Sequence, residues 1–141
     1  MRTALDAFSR PPCAELLGFQ LVDAEDLGGW TRVAFEGKPE FCNPAGFIQG
    51  GMLAAMLDDT MGPAALLASG GTLYTSTIDM TVSYLAPARP GRIYGRGRAV
   101  QLGKTVGFLE AYLTAEDGTI LARATSSARL IPAERLPATG G

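Results

Sequence analysis

The sequence contains no histidine and only two cysteines. Without histidine there is no imidazole to serve as a general base, to activate a Ser or Cys nucleophile, or to bind a metal ion. Any chemistry must therefore use carboxylates, hydroxyls, amides and backbone dipoles, and we expect neither a metal nor a cofactor. Cys13 and Cys42 are too far apart for a Cys-x-x-Cys motif, which predicts buried free thiols in a reducing cytoplasm.

Long apolar runs and an excess of positive charge are also absent. The longest apolar run, residues 52–57, is far shorter than the ~20 residues that cross a membrane. The first residues lack the apolar core of a signal peptide. With 12 basic and 14 acidic residues the net charge is −2, which is unlike a nucleic-acid-binding protein. We therefore expect a cytoplasmic protein without nucleic-acid or membrane partners.

The composition is that of one globular domain. The 141 residues are 47% hydrophobic and 18% charged, which suffices for one buried core and leaves no room for a second. We assign residues 1–141 to a single domain and expect flexible ends at 1–12 and 132–141.

Strand-like segments occupy both halves of the chain. Alternating apolar residues separated by turn sequences predict about six antiparallel strands. The predicted strands are residues 19–26, 30–36, 77–84, 92–102, 105–115 and 119–131. Within 77–84, the alternation places Ile78, Met80, Val82 and Tyr84 on the buried face and Thr77 on the opposite face.

Residues 50–67 differ from the rest, because Ala, Leu and Met dominate them and the stretch is apolar nearly all round. A helix of this composition is a buried one. One long buried helix and about six antiparallel strands predict an α+β domain whose sheet wraps around the helix. Pro63 removes a helical hydrogen bond, which predicts a kink or a break near Gly62.

Asp58 and Asp59 are the only charged residues in this helix, and neither has a basic partner at helical spacing. Because burial of an unpaired carboxylate is costly, each side chain must reach solvent, a polar site or a partner chain. An apolar setting raises the pKa of a carboxyl group, and functional acids and bases are often made in this way. A solvated helix edge is an equally simple interpretation, and the pattern alone does not choose between the two aspartates.

Gly50 and Gly51 begin the helix, and no Ser, Thr or Asp precedes them as a cap. The first N–H groups of a helix lack intrahelical acceptors and lie at the positive end of its dipole, so they could bind an oxyanion or a phosphate. The glycines could also serve only to close a loop. From Gly50 to Asp58 the helix rises about 12 Å, whereas cooperating groups must lie within about 3 Å of one reacting atom. If the two ends cooperate, they must come from two chains, most simply across a two-fold axis.

Residues 43–51, with the sequence Asn-Pro-Ala-Gly-Phe-Ile-Gln-Gly-Gly, and the helix that follows to Asp58 resemble the hotdog-fold acyl-CoA thioesterases. The most similar branch includes the phenylacetate-pathway and 4-hydroxybenzoyl-CoA thioesterases, and residues 77–91 continue the resemblance. The family pattern is Asn or Gln, a short loop, His-Gly-Gly, and a helix with Asp or Glu seven residues after the second Gly. The chain departs from it at Gln49, where most of the branch has histidine.

The resemblance implies a hotdog fold and metal-free hydrolysis of an acyl-CoA thioester. Its functional positions fall on Asp58 as the catalytic carboxylate, Gly50 and Gly51 as amide donors to the oxyanion, Asn43 as a positioning amide, Thr77 as a hydroxyl near the carboxylate, and Gln49 as the residue that orients the loop. Asp59 matches no catalytic position. Asp58 would act as a general base on water or as a nucleophile, and both roles stay open.

Basic residues near turns are suited to the phosphates of CoA, and the resemblance places a CoA-contacting turn at residues 103–105. The expected CoA contacts are Arg89, Arg92, Lys104 and Thr105. A homodimer is implied, and relatives often pair dimers into a homotetramer. From their positions, the acyl pocket is expected to involve Met52, Met56, Met61, Phe47 and Tyr74.

Two other functions compete with hydrolysis. A non-catalytic acyl-thioester-binding or structural protein of the same fold is favoured by the missing family histidine and disfavoured by the retained Asn, Gly-Gly and Asp positions. A dehydratase or hydratase is disfavoured because those relatives depend on an active-site histidine.

Overall fold

A computed structural model of the protein describes residues 10–24 and 29–136. These residues form two α-helices and six strands, which are α1 (Pro12–Leu17), β1 (Gln20–Ala24), β2 (Thr31–Gly37), α2 (Gly50–Ala68), β3 (Leu73–Tyr84), β4 (Gly91–Leu102), β5 (Val106–Thr114) and β6 (Ile120–Pro132), together with two short 3-10 helices. The strands make one sheet in the order β1-β2-β4-β5-β6-β3, with antiparallel neighbours throughout. The predicted α+β arrangement of six strands and one long helix is confirmed.

Parts of the sequence predictions lie outside the described residues. These are residues 25 and 26 of the first predicted strand, and residues 1–9 and 137–141 of the predicted flexible ends. Within the described part of the C-terminal end, Ala133–Arg135 forms a short 3-10 helix, and the Ala133 N–H bonds to the Thr72 carbonyl oxygen at 2.8 Å.

Helix α2 packs its Leu- and Met-rich side against the sheet. Leu53, Met56 and Leu57 are buried there, whereas Gly51, Ala55 and Asp58 are exposed on the opposite side. The predicted burial all round the helix is therefore wrong for the single chain, which leaves one strip of α2 open. No helix among the residues that the structure describes is long and apolar enough to cross a membrane.

The predicted break near Gly62 does not occur. Helix α2 continues through Pro63 to Ala68. Proline usually disfavours helical geometry in the residue before it, through a clash that involves that residue's Cβ. Gly62 has no Cβ, so this clash is absent. The buried residues that follow, Ala64 and Ala65, hold the last turns against their neighbours.

Two glycines of β4 set how closely α2 approaches the sheet. A Cβ on Gly95 would lie 2.5 Å from the Thr60 hydroxyl oxygen, and one on Gly97 would lie 2.9 Å from the Thr60 carbonyl oxygen. The Thr60 hydroxyl is itself satisfied, since it donates to the Met56 carbonyl oxygen at 2.7 Å. The helix therefore fits into a groove that only residues without side chains leave open.

Strand β3 lies at one edge of the sheet and contains a bulge between Thr77 and Asp79. The Asp79 carboxylate holds this bulge, because it accepts hydrogen bonds from the N–H and the hydroxyl of Ser127 on β6, at 3.1 and 2.7 Å. The extra residue, Ile78, is 56% exposed. Its predicted place on the buried face is wrong, because the bulge interrupts the alternation on which that prediction depends.

Both cysteines are free thiols. The prediction that both are buried is wrong for Cys13, which is exposed in the short helix α1, while Cys42 is half-buried.

Candidate active site

The bulge in β3 brings Thr77 to Asp58. Thr77 pairs with the buried Ala128, and after the bulge Met80 pairs with the buried Ser126. Thr77 therefore faces α2 on the same side of the sheet as Met80, although the plain alternation would place the two on opposite faces. Its hydroxyl donates a 2.8 Å hydrogen bond to Asp58 Oδ1. This bond fixes an exposed carboxylate at the sheet edge.

The two adjacent aspartates occupy different environments, since consecutive helical residues point about 100° apart. Asp58 is exposed and bonded to Thr77, whereas Asp59 is partly buried. Burial, and to a smaller degree the charge of Asp58, raise the pKa of Asp59 to about 7. Its Oδ2 atom is buried and has no hydrogen-bond partner among the described residues. The structure thus makes Asp58 the accessible carboxylate and Asp59 the perturbed one.

The N-terminus of α2 presents two open amide groups. The N–H groups of Gly50 and Gly51 donate to no described group, while the next two, of Met52 and Leu53, bond to the Gln49 carbonyl oxygen at 2.9 and 3.2 Å. The side chain of Gln49 is exposed and does not cap the helix. Two unpaired N–H groups at the positive end of a helix dipole have the geometry and polarity to bind an oxyanion.

Asn43 shapes the loop that leads to these amides. Its side-chain oxygen accepts hydrogen bonds from the N–H groups of Ala45 and Phe47, at 3.0 and 3.1 Å. Because both partners are N–H donors, the accepting atom is the amide oxygen of Asn43, and it already accepts two hydrogen bonds. The NH2 group of Asn43 has no partner among the residues described, so it is the group that Asn43 can offer to a ligand.

A cavity of about 350 Å³ lies at this end of the helix. Its lining includes Asn43, Phe47, Gly50, Leu53, Tyr84 and Ala86. The cavity is therefore mostly apolar, with an amide side chain and a helix N-terminus as its polar groups. This combination suits an elongated ligand with one polar reacting group.

The structure brings the predicted catalytic residues together in two separate sets. Asn43 and Gly50 share the cavity, and Gln49 and Gly51 adjoin it in the chain, whereas the Asp58–Thr77 pair does not line it. The sets stand about 12 Å apart along the helix. Within one chain they cannot act on the same carbonyl group.

The predicted CoA-binding residues are also divided. Arg89 lies over the Phe47 ring at 5.5 Å, next to the cavity, and Arg92 donates to the Gln20 side chain at 3.1 Å. Lys104 and Thr105 follow the far end of β4, more than about 30 Å from Arg92 at ~3.3 Å per residue. One chain cannot use both groups on one CoA molecule.

The acyl-pocket prediction is wrong for two of its methionines. Met56 and Met61 are fully buried between α2 and the sheet, where they belong to the hydrophobic core. Met52 and Tyr74 are half-buried and do not line the cavity at Gly50, whereas Phe47 does line it. A Met-rich helix sequence looks the same whether its methionines fill a core or line a pocket.

Sequence reasoning missed the role of Tyr84 at the helix N-terminus. The Tyr84 hydroxyl donates a 2.7 Å hydrogen bond to the Gly50 carbonyl oxygen, and the ring lines the cavity. The alternation of β3 predicted only a buried aromatic residue, whereas 52% of Tyr84 is exposed. A tyrosine at a strand end, with a hydroxyl that needs a partner, was the available signal.

The sequence profile of the thioesterase superfamily matches residues 45–122, more than half of the chain. A Halobacterium salinarum protein named as a candidate esterase is 34% identical over an alignment of 97 residues, which covers 67% of this chain and 64% of that protein. The chain thus spans less than two thirds of the length of this relative.

Solved structures show the same fold. A phenylacetic acid degradation-related protein of Ralstonia eutropha JMP134, named as a candidate thioesterase, is 31% identical with a TM-score of 0.78, covering 84% of this chain and 89% of that one. The E. coli PaaI protein from the phenylacetic acid degradation operon is 18% identical with a TM-score of 0.76, covering 86% and 85%. The chain belongs to the thioesterase superfamily, and its six-stranded sheet with one long helix is the hotdog fold of these proteins.

Proposed function

We propose that the protein hydrolyses an acyl-CoA thioester to the free acid and CoA, without a metal, at a site shared between two subunits. Membership of the thioesterase superfamily supports thioester hydrolysis in general. The observation that carries the proposal of a shared site is the exposed Asp58 carboxylate, which accepts a 2.8 Å hydrogen bond from Thr77. This carboxylate lies far along the helix from the open amides of Gly50 and Gly51. Each chain offers both halves of a hydrolytic site in separate places.

The residues divide the chemistry as follows. The Gly50 and Gly51 N–H groups stabilise the oxyanion that develops on the thioester carbonyl, a contribution of about 10²–10³ in rate for one such donor. Asn43 offers its NH2 group to the thioester or to the attacking water. As a general base, Asp58 removes a proton from that water; the resulting hydroxide adds to the carbonyl carbon, the C–S bond breaks, and the departing CoA thiolate takes the proton. As a nucleophile, Asp58 attacks the carbonyl carbon and the C–S bond breaks to release the CoA thiolate; water then hydrolyses the mixed anhydride to the free acid and regenerates the carboxylate. Gln49, at the start of the helix, orients the loop.

A second copy of the chain would complete the site. Strand β3 is a 12-residue sheet edge without the Lys or Pro residues that usually protect edges from pairing. The adjoining strip of α2 is small or polar and exposed, at Gly51, Ala55 and Asp58. Antiparallel pairing of two β3 edges about a two-fold axis sets the two helices antiparallel. The Asp58 of one subunit then approaches the glycines of the other.

The same two-fold axis accounts for the divided CoA residues. In one chain, Arg89 and Arg92 lie at the glycine end of α2. The turn with Lys104 and Thr105 lies toward the Asp58 end. It is placed there by the hydrogen bond from the Leu130 N–H to the Thr105 carbonyl oxygen, beside the start of β3. An antiparallel pair would bring the arginines of one subunit to the same side as the lysine turn of the other. We propose that these residues contact the CoA phosphates from both subunits. Pairing of two such dimers into a tetramer is a further expectation.

Thiol release from a panel of aryl, short, medium and long acyl-CoAs tests the activity. Asp58→Asn should abolish turnover and keep the fold, while Asp59→Asn, the same change one residue along, should retain turnover. Acyl-CoA binding by the wild type without any thiol release would instead indicate the non-catalytic alternative. Equal turnover by Asp58→Asn would exclude the role of this carboxylate.

Mixed subunits test whether the site is shared. Gly51→Pro removes one oxyanion donor at a helix position that tolerates proline, and Asp58→Asn removes the carboxylate. In a mixed dimer, the intact amides of one subunit meet the intact carboxylate of the other, so two nearly inactive variants should recover up to about a quarter of the wild-type rate after random exchange. If each site lies within one chain, mixing restores nothing.

A further inference from the structure

Tyr84 joins the sheet edge to the first residue of α2. It is the last residue of β3, and its hydroxyl donates a 2.7 Å hydrogen bond to the Gly50 carbonyl oxygen. The ring lies directly on this glycine, because a Cβ on Gly50 would come within 3.2 Å of the ring carbon Cζ. The contact needs both a glycine at position 50 and a hydroxylated ring at position 84.

The carbonyl that Tyr84 holds belongs to the same planar peptide unit as the Gly51 N–H. A donor that fixes the oxygen of this unit also fixes the direction of the N–H on its other side. Consecutive hydrogen bonds polarise one another, so a donor on the oxygen makes the N–H a stronger donor. The Gly51 N–H has no acceptor among the described residues, and it is one of the two proposed oxyanion donors.

We propose that Tyr84 is a positioning residue of the active site, which orients and polarises the Gly50–Gly51 peptide so that the Gly51 N–H stabilises the oxyanion. This inference rests on the proposed function, since it assigns Tyr84 a task within the same site. Tyr84 acts through the backbone and does not touch the reacting atoms.

The local sequence explains why the peptide needs such support. Two consecutive glycines have more backbone freedom than any other pair, and Gln49 gives the helix no side-chain cap. Upstream, the Ile48 N–H bonds to the Ala88 carbonyl oxygen at 2.8 Å. Tyr84 therefore adds a second hydrogen bond between the loop and the β3–β4 segment, and this bond acts on the peptide unit between the two glycines.

The expected fall in kcat on loss of the Tyr84 hydroxyl follows from the contribution of one oxyanion donor and from the strengthening of that donor by a second hydrogen bond. One oxyanion donor typically changes the rate about 10²–10³-fold, and a preceding hydrogen bond strengthens it by roughly 10–30%. Loss of the Tyr84 hydroxyl should therefore lower kcat about two- to eightfold. KM should stay within about twofold, because the stabilisation exists mainly in the transition state.

Tyr84→Phe is the decisive variant, because it keeps the ring on Gly50 and removes only the hydroxyl. Tyr112→Phe is the matched control, since this tyrosine alternates with the buried Ala111 and Leu113 of β5 and packs against Trp30 on the sheet face opposite α2; its kcat and KM should equal those of the wild type. In a Gly51→Pro background, which lacks the N–H, Tyr84→Phe should have no further effect on kcat. An unchanged kcat in the single variant, or the same fall in both backgrounds, would overturn the proposal.

Backbone NMR separates this inference from the proposed function. Tyr84→Phe should shift the Gly50 carbonyl carbon and Gly51 amide nitrogen resonances, and Tyr112→Phe should leave both in place. A wild-type protein that turns over no acyl-CoA but shows these shifts would contradict the proposed function and keep the Tyr84 contact. Active wild-type protein without the shifts would contradict the Tyr84 proposal alone.

Discussion

Asp59→Asn should stabilise the protein, and increasingly so as the pH rises. Burial, with a smaller contribution from the Asp58 charge, raises the pKa of Asp59 from 3.8 to about 7. A group whose pKa is raised on folding binds its proton more tightly in the native state, so its ionisation destabilises the fold. This destabilisation is absent below about pH 4, grows as the pH rises to about 7, and is constant above. Asparagine cannot ionise, so the Asp59→Asn variant does not have this pH-dependent destabilisation.

The size of the effect can be estimated from the pKa shift. At about 1.4 kcal/mol per pKa unit, the full shift corresponds to about 4 kcal/mol. Because Asp59 is partly exposed, solvent screening reduces the effect to roughly half of that. The advantage of Asp59→Asn in the free energy of unfolding should therefore grow by roughly 1–2 kcal/mol between pH 5 and pH 8.

Urea unfolding at one fixed protein concentration measures this difference, and the single tryptophan, Trp30, which packs against Tyr112 at 5.7 Å, reports it. Asp117→Asn is the control, because hydrogen bonds from Thr119 lower the pKa of Asp117. That carboxylate stays ionised from pH 5 to 8, so its variant should show a constant difference from the wild type. An Asp59→Asn variant that is less stable than the wild type at pH 8, or whose advantage does not change with pH, would refute the reasoning.

Three further experiments test the site and its support. Thr77→Val removes the hydroxyl that donates to the proposed catalytic carboxylate and should lower kcat about tenfold; an unchanged kcat in the thiol-release assay would contradict that contact. Gly97→Ala brings a Cβ to 2.9 Å from a backbone oxygen of α2 and should cost about 1–3 kcal/mol in urea unfolding; a variant as stable as the wild type would contradict this close approach. Arg89→Ala and Lys104→Ala should each raise KM for acyl-CoA several-fold at similar kcat; a change in only one of them would contradict a CoA site built from both ends of the sheet.

The fold was predictable because its signals are local. The Ala-, Leu- and Met-rich run predicts α2 from residue 50 to 67, and the structure has it at Gly50–Ala68. The alternating runs predict the other strands to within about two residues, apart from β3, which begins at Leu73, four residues before its predicted start. Each of these elements depends on a periodicity that a short window of sequence contains.

The parts that were missed depend on contacts between distant residues. The bulge at Ile78 is held by Asp79 and Ser127, which are 48 residues apart in the chain, so the alternation of β3 gives no sign of it. Yet this bulge turns Thr77 toward Asp58. The contact of Tyr84 with Gly50 likewise joins residues 34 apart. The family resemblance supplied most of the residues proposed for the site, including Thr77 as a hydroxyl near the carboxylate. Nothing in the sequence predicted the contact of Tyr84 with Gly50.

The two orienting contacts explain why the site would need a rigid sheet edge. Thr77 and Tyr84 lie seven residues apart on β3. The Thr77 hydroxyl donates a hydrogen bond to the Asp58 carboxylate, and the Tyr84 hydroxyl donates one to the Gly50 carbonyl oxygen at the start of α2. Strand β3 therefore orients both the Asp58 carboxylate and the Gly50–Gly51 peptide of its own chain. In the proposed dimer, where two such edges pair antiparallel, the register of the pair sets the distance between the Asp58 of one subunit and the glycines of the other. Any change that slips this register by one residue would move the carboxylate by about 3.3 Å, which is as large as the reacting distance itself.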